Sequence, residues 1–123
     1  MSTLYFMHLA ELTERSKRIA VQILHKHGEA PLKVYGHPRG GISAMFSVLR
    51  YLPNATPVTY PQDADIIIED IYDTGKTYKK LSVYKKPVYF IIDKREENIP
   101  EWIVFPWEDE FKEYVSMGRG ELC

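Results

Sequence analysis

Three carboxylates fall within five residues, at Glu69, Asp70 and Asp73, and a Thr-Gly-Lys-Thr run follows them at Thr74, Gly75, Lys76 and Thr77. The unbroken apolar triplet Ile66, Ile67 and Ile68 stands just ahead, which suggests a strand covered on both faces, as in a parallel sheet. A helical pattern begins at Lys76. This order predicts a strand–loop–helix turn whose free backbone N–H groups and two hydroxyls make an anion cradle. Gly75 would let a phosphate approach the backbone closely. Carboxylates touching that phosphate would repel it. They make sense if they hold sugar hydroxyls or a divalent cation while the phosphate sits lower in the cradle. The loop therefore points to a sugar phosphate with Mg2+. A nucleoside-triphosphate P-loop is rejected, because it needs a glycine five residues ahead of Gly75, where Asp70 stands.

The elements that must position this loop follow from periodicity and punctuation. Apolar residues at helical spacing (Leu9, Leu12, Ile19, Ile23, Leu24) predict an amphipathic helix over 8–27, with Gly28 as its stop. A strand over 32–35 then enters the glycine-bearing loop 36–41, and a second helix is expected over 42–51. Strands are expected over 57–60, 65–70, 87–93 and 102–105, with helices over 76–84 and 109–115. That succession predicts an α/β fold, a single domain over 1–123 whose open, mostly parallel sheet is flanked by helices on both faces. Ligands in such sheets gather where strands end and helices begin.

Composition narrows the classes. The chain has 123 residues, 45% of them apolar and 27% charged, an ordinary globular balance. The net charge of −1 gives no case for nucleic acid or an acidic membrane as partner. Cys123, the only cysteine, excludes an internal disulfide or a cysteine-rich metal site. The first residues lack the basic start and long apolar core of a signal peptide, and no apolar run approaches the ~20 residues that span a bilayer. A cytoplasmic location is expected.

The stretch Ile66-Ile67-Ile68-Glu69-Asp70-Ile71-Tyr72-Asp73-Thr74-Gly75-Lys76-Thr77 resembles the phosphoribosyl-diphosphate signature of type I phosphoribosyltransferases, in the form found in the xanthine-guanine and hypoxanthine-guanine purine-salvage members. The resemblance implies that Glu69 and Asp70 hold the ribose hydroxyls, with Asp70 also next to Mg2+. It implies that Thr74, Gly75, Lys76 and Thr77 bind the 5′-phosphate and that Asp73, as catalytic carboxylate, faces N7 of a purine. The loop Gly36-His37-Pro38-Arg39-Gly40-Gly41 resembles the family's diphosphate loop. Arg39 would clamp diphosphate with its guanidinium fork, Gly40 would add a backbone donor, and a cis peptide is implied at Pro38–Arg39. Trp102-Ile103-Val104-Phe105-Pro106-Trp107-Glu108 is similar to the family's tryptophan-bearing strand. Trp102 would stack on the base, the Ile103 carbonyl would accept from an exocyclic group, and Lys94 would donate to the 6-oxo group. Trp107 reads as core.

The implied activity is transfer of 5-phosphoribosyl from 5-phosphoribosyl-1-diphosphate to a 6-oxopurine base, releasing diphosphate, and the resemblance implies a homodimer. The chain departs from the family in a reduced C-terminal hood and a shortened catalytic loop, since only four residues separate Tyr60 from Asp65. A long loop there would exclude water and help hold the diphosphate. Its absence is what a rival reading uses: a regulatory protein on the same fold that binds phosphoribosyl diphosphate or a nucleotide without catalysing transfer.

Overall fold

The computed structural model describes residues 3–108; the helix expected over 109–115 and the tail 116–123 lie outside the described residues. The chain runs through β1 (Leu4–Phe6), α1 (Leu9–His27), β2 (Leu32–Gly36), α2 (Gly40–Leu49) and β3 (Ala55–Pro57). It continues through a 3-10 turn at Pro61–Asp63, β4 (Ile66–Tyr72), α3 (Lys76–Leu81), a second 3-10 turn at Ser82–Tyr84, β5 (Val88–Asp93) and β6 (Trp102–Val104). Four strands form a sheet in the order β3-β2-β4-β5, and every pairing in it is parallel. Its flanking helices confirm the expected α/β architecture.

Side-chain alternation along the strands divides the core in two. Val34, Ile66 and Ile68 face α1 and α2 together with Ile19, Ile23, Ala44, Met45 and Val48. Tyr35 and Ile67 point the opposite way, toward Leu81 of α3 and Ala64. Each of these strands is therefore buried on both sides, which accounts for the continuous isoleucine run in β4. Leu81 is 1% exposed and is the one residue of α3 that is buried. Arg15 of α1 ties the far edge: its guanidinium donates to both carboxylate oxygens of Glu97, at 2.8 and 2.7 Å, and to the Ile91 carbonyl at 3.3 Å.

Several expected boundaries need correction, among them the end of the strand expected over 65–70, which continues to Tyr72. The strand expected over 57–60 is β3 at Ala55–Pro57. Pro57 and Ile66 both pair opposite Val34, so the chain must leave the sheet after Val58 and pass beneath β2 to begin β4 at the same level. That shared level is why so short a connection suffices. The second helix begins at Gly40 rather than Ile42, which puts both glycines of the diphosphate-like loop inside its first turn. The third ends at Leu81, and the chain tightens through Ser82–Tyr84 to Lys85, which has φ +56°.

An unexpected strand completes the fold. β1 pairs in parallel with β6, Leu4 with Trp102 and Phe6 with Val104, in a separate two-stranded sheet. The hood over the sheet thus draws on both ends of the described chain. Among the described residues no helix is long and apolar enough to cross a membrane.

Leu81→Ala should lower the unfolding free energy by about 2–5 kcal/mol, the range for emptying a buried leucine site, whereas Leu81→Met should cost less than about 1.5 kcal/mol. Urea titration of both variants measures this; equal losses would show that α3 is not held by packing at this residue.

Candidate functional site

β2 leads through α2 to β3 on one side, and β4 leads through α3 to β5 on the other. The connections diverge between β2 and β4, so the loops leaving their carboxyl ends open a crevice there. These are the two loops that the sequence singles out. They meet at very short range. A Cβ built on Gly41 would stand 2.7 Å from Glu69 Oε1, and one built on Gly40 would collide with Asp70 Oδ2. The end of β4 can lie against the start of α2 only because those two residues have no side chain.

Glu69 is 4% exposed, and its Oε1 accepts from the Asp70 backbone N–H at 2.9 Å. Burial, followed by hydrogen bonding to the Asp70 side chain, pushes the Glu69 carboxyl up to about 8. Asp70 Oδ1 accepts from the Ile71 N–H at 2.8 Å, leaving Oδ2 on the Gly40 side. Two adjoining carboxylates with no cation between them suit a divalent ion. Among the described residues no three His, Cys, Asp or Glu side chains converge to hold a metal alone. Such a pair could hold a Mg2+ ion, which commonly takes one or two carboxylates plus oxygens of its substrate.

Asp70 to Tyr78 line a cavity of about 100 Å3 that contains Asp73, Thr74, Gly75, Lys76 and Thr77. Gly75 has φ +91°, a conformation few residues other than glycine adopt. A Cβ there would also stand 2.6 Å from the Tyr72 hydroxyl. Tyr72 and Tyr78 pack at 5.6 Å between centroids and wall the cavity, with the Arg95 guanidinium 3.8 Å above the Tyr72 ring.

A second cavity of about 190 Å3 adjoins the first and shares Asp70, Ile71 and Asp73 with it. It gathers Asp73, Lys94, Trp102 and Ile103, four residues spread over thirty positions of sequence. Lys94 Nζ donates to the Glu101 carbonyl at 2.9 Å and lies 3.8 Å from Asp73 Oδ1. Trp102 is 59% exposed, so much of its surface is open. The Trp102 N–H and Val104 carbonyl bond toward β1, so strand alternation turns the Ile103 carbonyl to the other edge. Sequence reasoning missed Ile71, Phe105 and Glu108 as cavity residues. The available signal for Glu108 was Pro106 three positions after Ile103: Glu108 Oε1 accepts from the Phe105 N–H at 3.2 Å, closing a helical turn that holds the carboxylate beside the cavity. Trp107 stacks on Phe105 at 4.7 Å, in keeping with its reading as core.

In the other loop the Pro38–Arg39 peptide is cis, as the resemblance implies. Arg39 is exposed and precedes α2, while Gly40 is that helix's first residue. The Tyr35 hydroxyl pairs with His37 Nδ1 at 3.2 Å. Burial first, then the positive charge of Lys80, holds His37 below the usual imidazole range against the upward pull of Asp70. A larger cavity of about 580 Å3 lies elsewhere, between α1 and β5, and contains none of the site residues that the sequence singles out.

The fold is that of the purine phosphoribosyltransferases. A purine phosphoribosyltransferase from Pyrococcus horikoshii superposes with a TM-score of 0.63 at 16% identity, covering 85% of this chain and 94% of that one. A Helicobacter pylori xanthine-guanine-hypoxanthine phosphoribosyltransferase gives 0.61 at 20% identity, covering 94% and 99%. A Bacillus anthracis hypoxanthine-guanine phosphoribosyltransferase gives 0.58 at 21% identity, covering 85% and 82%. No protein-family model and no curated protein matches the chain by sequence.

The raised Glu69 carboxyl predicts a pH effect on the free protein. Stability that depends on its protonated form is fully present below about pH 4.5 and is lost as pH rises toward 8. Glu69→Gln should therefore gain stability relative to wild type between about pH 5 and pH 8. Urea midpoints of both proteins across that range measure it; a constant difference would mean that Glu69 titrates as an ordinary carboxyl.

Proposed function

We propose that this protein is a purine phosphoribosyltransferase that transfers the 5-phosphoribosyl group of 5-phosphoribosyl-1-diphosphate to N9 of a 6-oxopurine and releases diphosphate. The observation that carries the reading is the pair of adjoining cavities. One is built from the Thr74–Thr77 loop, the other from Asp73, Lys94, Trp102 and Ile103, with Asp70 and Asp73 on their shared wall. A ribose 5-phosphate in the first would present its anomeric carbon toward a flat base in the second.

In this reading Glu69 and Asp70 accept hydrogen bonds from the ribose hydroxyls, and the Thr74–Thr77 backbone and hydroxyls hold the 5′-phosphate. Arg39 and the Gly40 N–H sit by the diphosphate. Asp70 would hold Mg2+, which supplies charge neutralisation for the leaving diphosphate when bound. The bond from the anomeric carbon to the diphosphate oxygen breaks as the bond to N9 forms. Asp73 takes or holds the proton at N7, and Lys94 donates to the 6-oxo oxygen. Trp102 stacks on the base and the Ile103 carbonyl accepts from its exocyclic edge.

One observation favours a second reading. The connection from β3 to β4, where the family's long loop would stand, is built around the tight turn Pro61–Asp63 and is too short to close over a reacting centre. A protein that binds phosphoribosyl diphosphate for regulation would not need closure.

Diphosphate release on mixing the protein with Mg2+, phosphoribosyl diphosphate and single bases separates the two. Transfer predicts release that requires guanine, hypoxanthine or xanthine and falls about 100-fold or more in Asp73→Asn. Lys94→Ala should chiefly raise KM for the base. Binding of phosphoribosyl diphosphate with no base-dependent release would leave the regulatory reading standing.

A further inference from the structure

The formal charge of −1 conceals a segregated surface. Residues 74–92 contain no Asp or Glu and carry five lysines: Lys76, Lys79, Lys80, Lys85 and Lys86. Lys76, Lys79 and Lys80 stand at i, i+3 and i+4 of α3, so they share one helix face. All three are exposed, and Lys85 is exposed on the turn that follows. Like charges at this spacing repel and destabilise a helix. The ion pairs among the described residues are Arg15 with Glu11 and Glu97, Lys94 with Asp73, and Arg95 with Asp93; none relieves this cluster.

The cluster starts at one loop of the crevice with Lys76 and reaches the other with Lys80, while Lys85 stands farther along, toward the start of β5. Lys76 lines the Thr74–Thr77 cavity. At the other end, Leu81 packs on Tyr35, whose hydroxyl holds His37 of the Pro38–Arg39 loop, so the adjacent Lys80 is brought alongside that loop. The crevice floor, by contrast, is acidic, with Glu69, Asp70 and Asp73. A polyphosphate diffusing toward that floor meets repulsion unless a positive surface offsets it at the entrance. The tight turn at Pro61–Asp63 cannot reach over to help.

Resting on the phosphoribosyltransferase reading, we infer that the lysine face of α3 and the turn after it is an encounter site for the polyphosphate substrate. It raises the rate at which phosphoribosyl diphosphate is captured, in place of a loop that closes over it after binding. Such focusing speeds association by roughly 10- to 1,000-fold in favourable cases and weakens as salt screens it.

The test is the association of phosphoribosyl diphosphate with Mg2+, followed by stopped-flow tryptophan fluorescence from about 20 to about 300 mM salt. The variant Lys79→Gln/Lys80→Gln/Lys85→Asn leaves Lys76 in place, and asparagine tolerates the positive φ at 85. A control, Lys17→Gln/Lys26→Gln/Arg50→Gln, removes the same charge from α1 and the end of α2, across the sheet. The inference expects the α3 variant to associate about tenfold more slowly at low salt, with a flattened salt dependence and a dissociation rate within about twofold of wild type. The control should associate at the wild-type rate. Unchanged association in the α3 variant, or equal slowing in the control, overturns the encounter site while the transferase reading survives. Wild-type protein that does not bind phosphoribosyl diphosphate overturns both. Competition by a single-stranded oligoribonucleotide at equal phosphate concentration, lost only in the α3 variant and stronger than capture of the substrate, would replace the substrate with nucleic acid as the occupant and likewise overturn the inference.

Discussion

The close approach of β4's carboxyl end to the first turn of α2 is the contact on which the crevice depends. Glu69 and Asp70 project from β4 toward Gly41 and Gly40, where any Cβ would meet a carboxylate oxygen. β2 and β4 are neighbours whose following helices lie on opposite sheet faces, so their loops are forced together at their carboxyl ends. Glycines at 40 and 41 convert that proximity into contact. The carboxylates of Glu69 and Asp70 thereby stand against the start of α2, directly after the Arg39 loop.

This contact has an electrostatic cost. Glu69 is buried beside a second carboxylate, and its ionised form is disfavoured until a cation or sugar hydroxyls satisfy it. The same apposition that destabilises the free protein as pH rises from about 4.5 toward 8 would, in the proposed reading, give a ligand with Mg2+ a site where each added hydrogen bond removes a penalty. Stability and recognition are opposed at this point, as is common where groups are arranged for binding rather than for packing. The neighbouring cavity is built differently. Its side chains come from the loop after β4, the loop after β5 and β6, and its outer wall depends on β1 pairing with β6.

Much of this was legible in the sequence where the information is local. The Ile66–Ile68 triplet marked a strand covered on both faces, and the acid-to-Thr-Gly-Lys-Thr transition marked the loop that follows it. The cis peptide and the cavity partners of Asp73 came through family resemblance, not through periodicity. β1 was not legible: three residues pair with a strand almost a hundred positions away, and no short-range pattern encodes such a pairing. The end of β3 was misplaced because Pro57-Val58-Thr59-Tyr60 has strand-like composition, while the requirement to restart opposite Val34 is a tertiary constraint. Glu108 was visible as an acidic residue, yet its position beside the cavity follows from the turn that begins after Phe105.

Calorimetric titration of phosphoribosyl diphosphate with Mg2+ into Gly40→Ala tests the central contact most directly. The added methyl meets the tip of the Asp70 side chain, which can rotate away, so the fold should persist while the carboxylate is displaced. The account predicts a Kd at least about tenfold weaker than wild type with an unchanged circular dichroism spectrum. Wild-type affinity in a folded Gly40→Ala protein would contradict it, because Asp70 would then not need its place against α2 to bind the ligand.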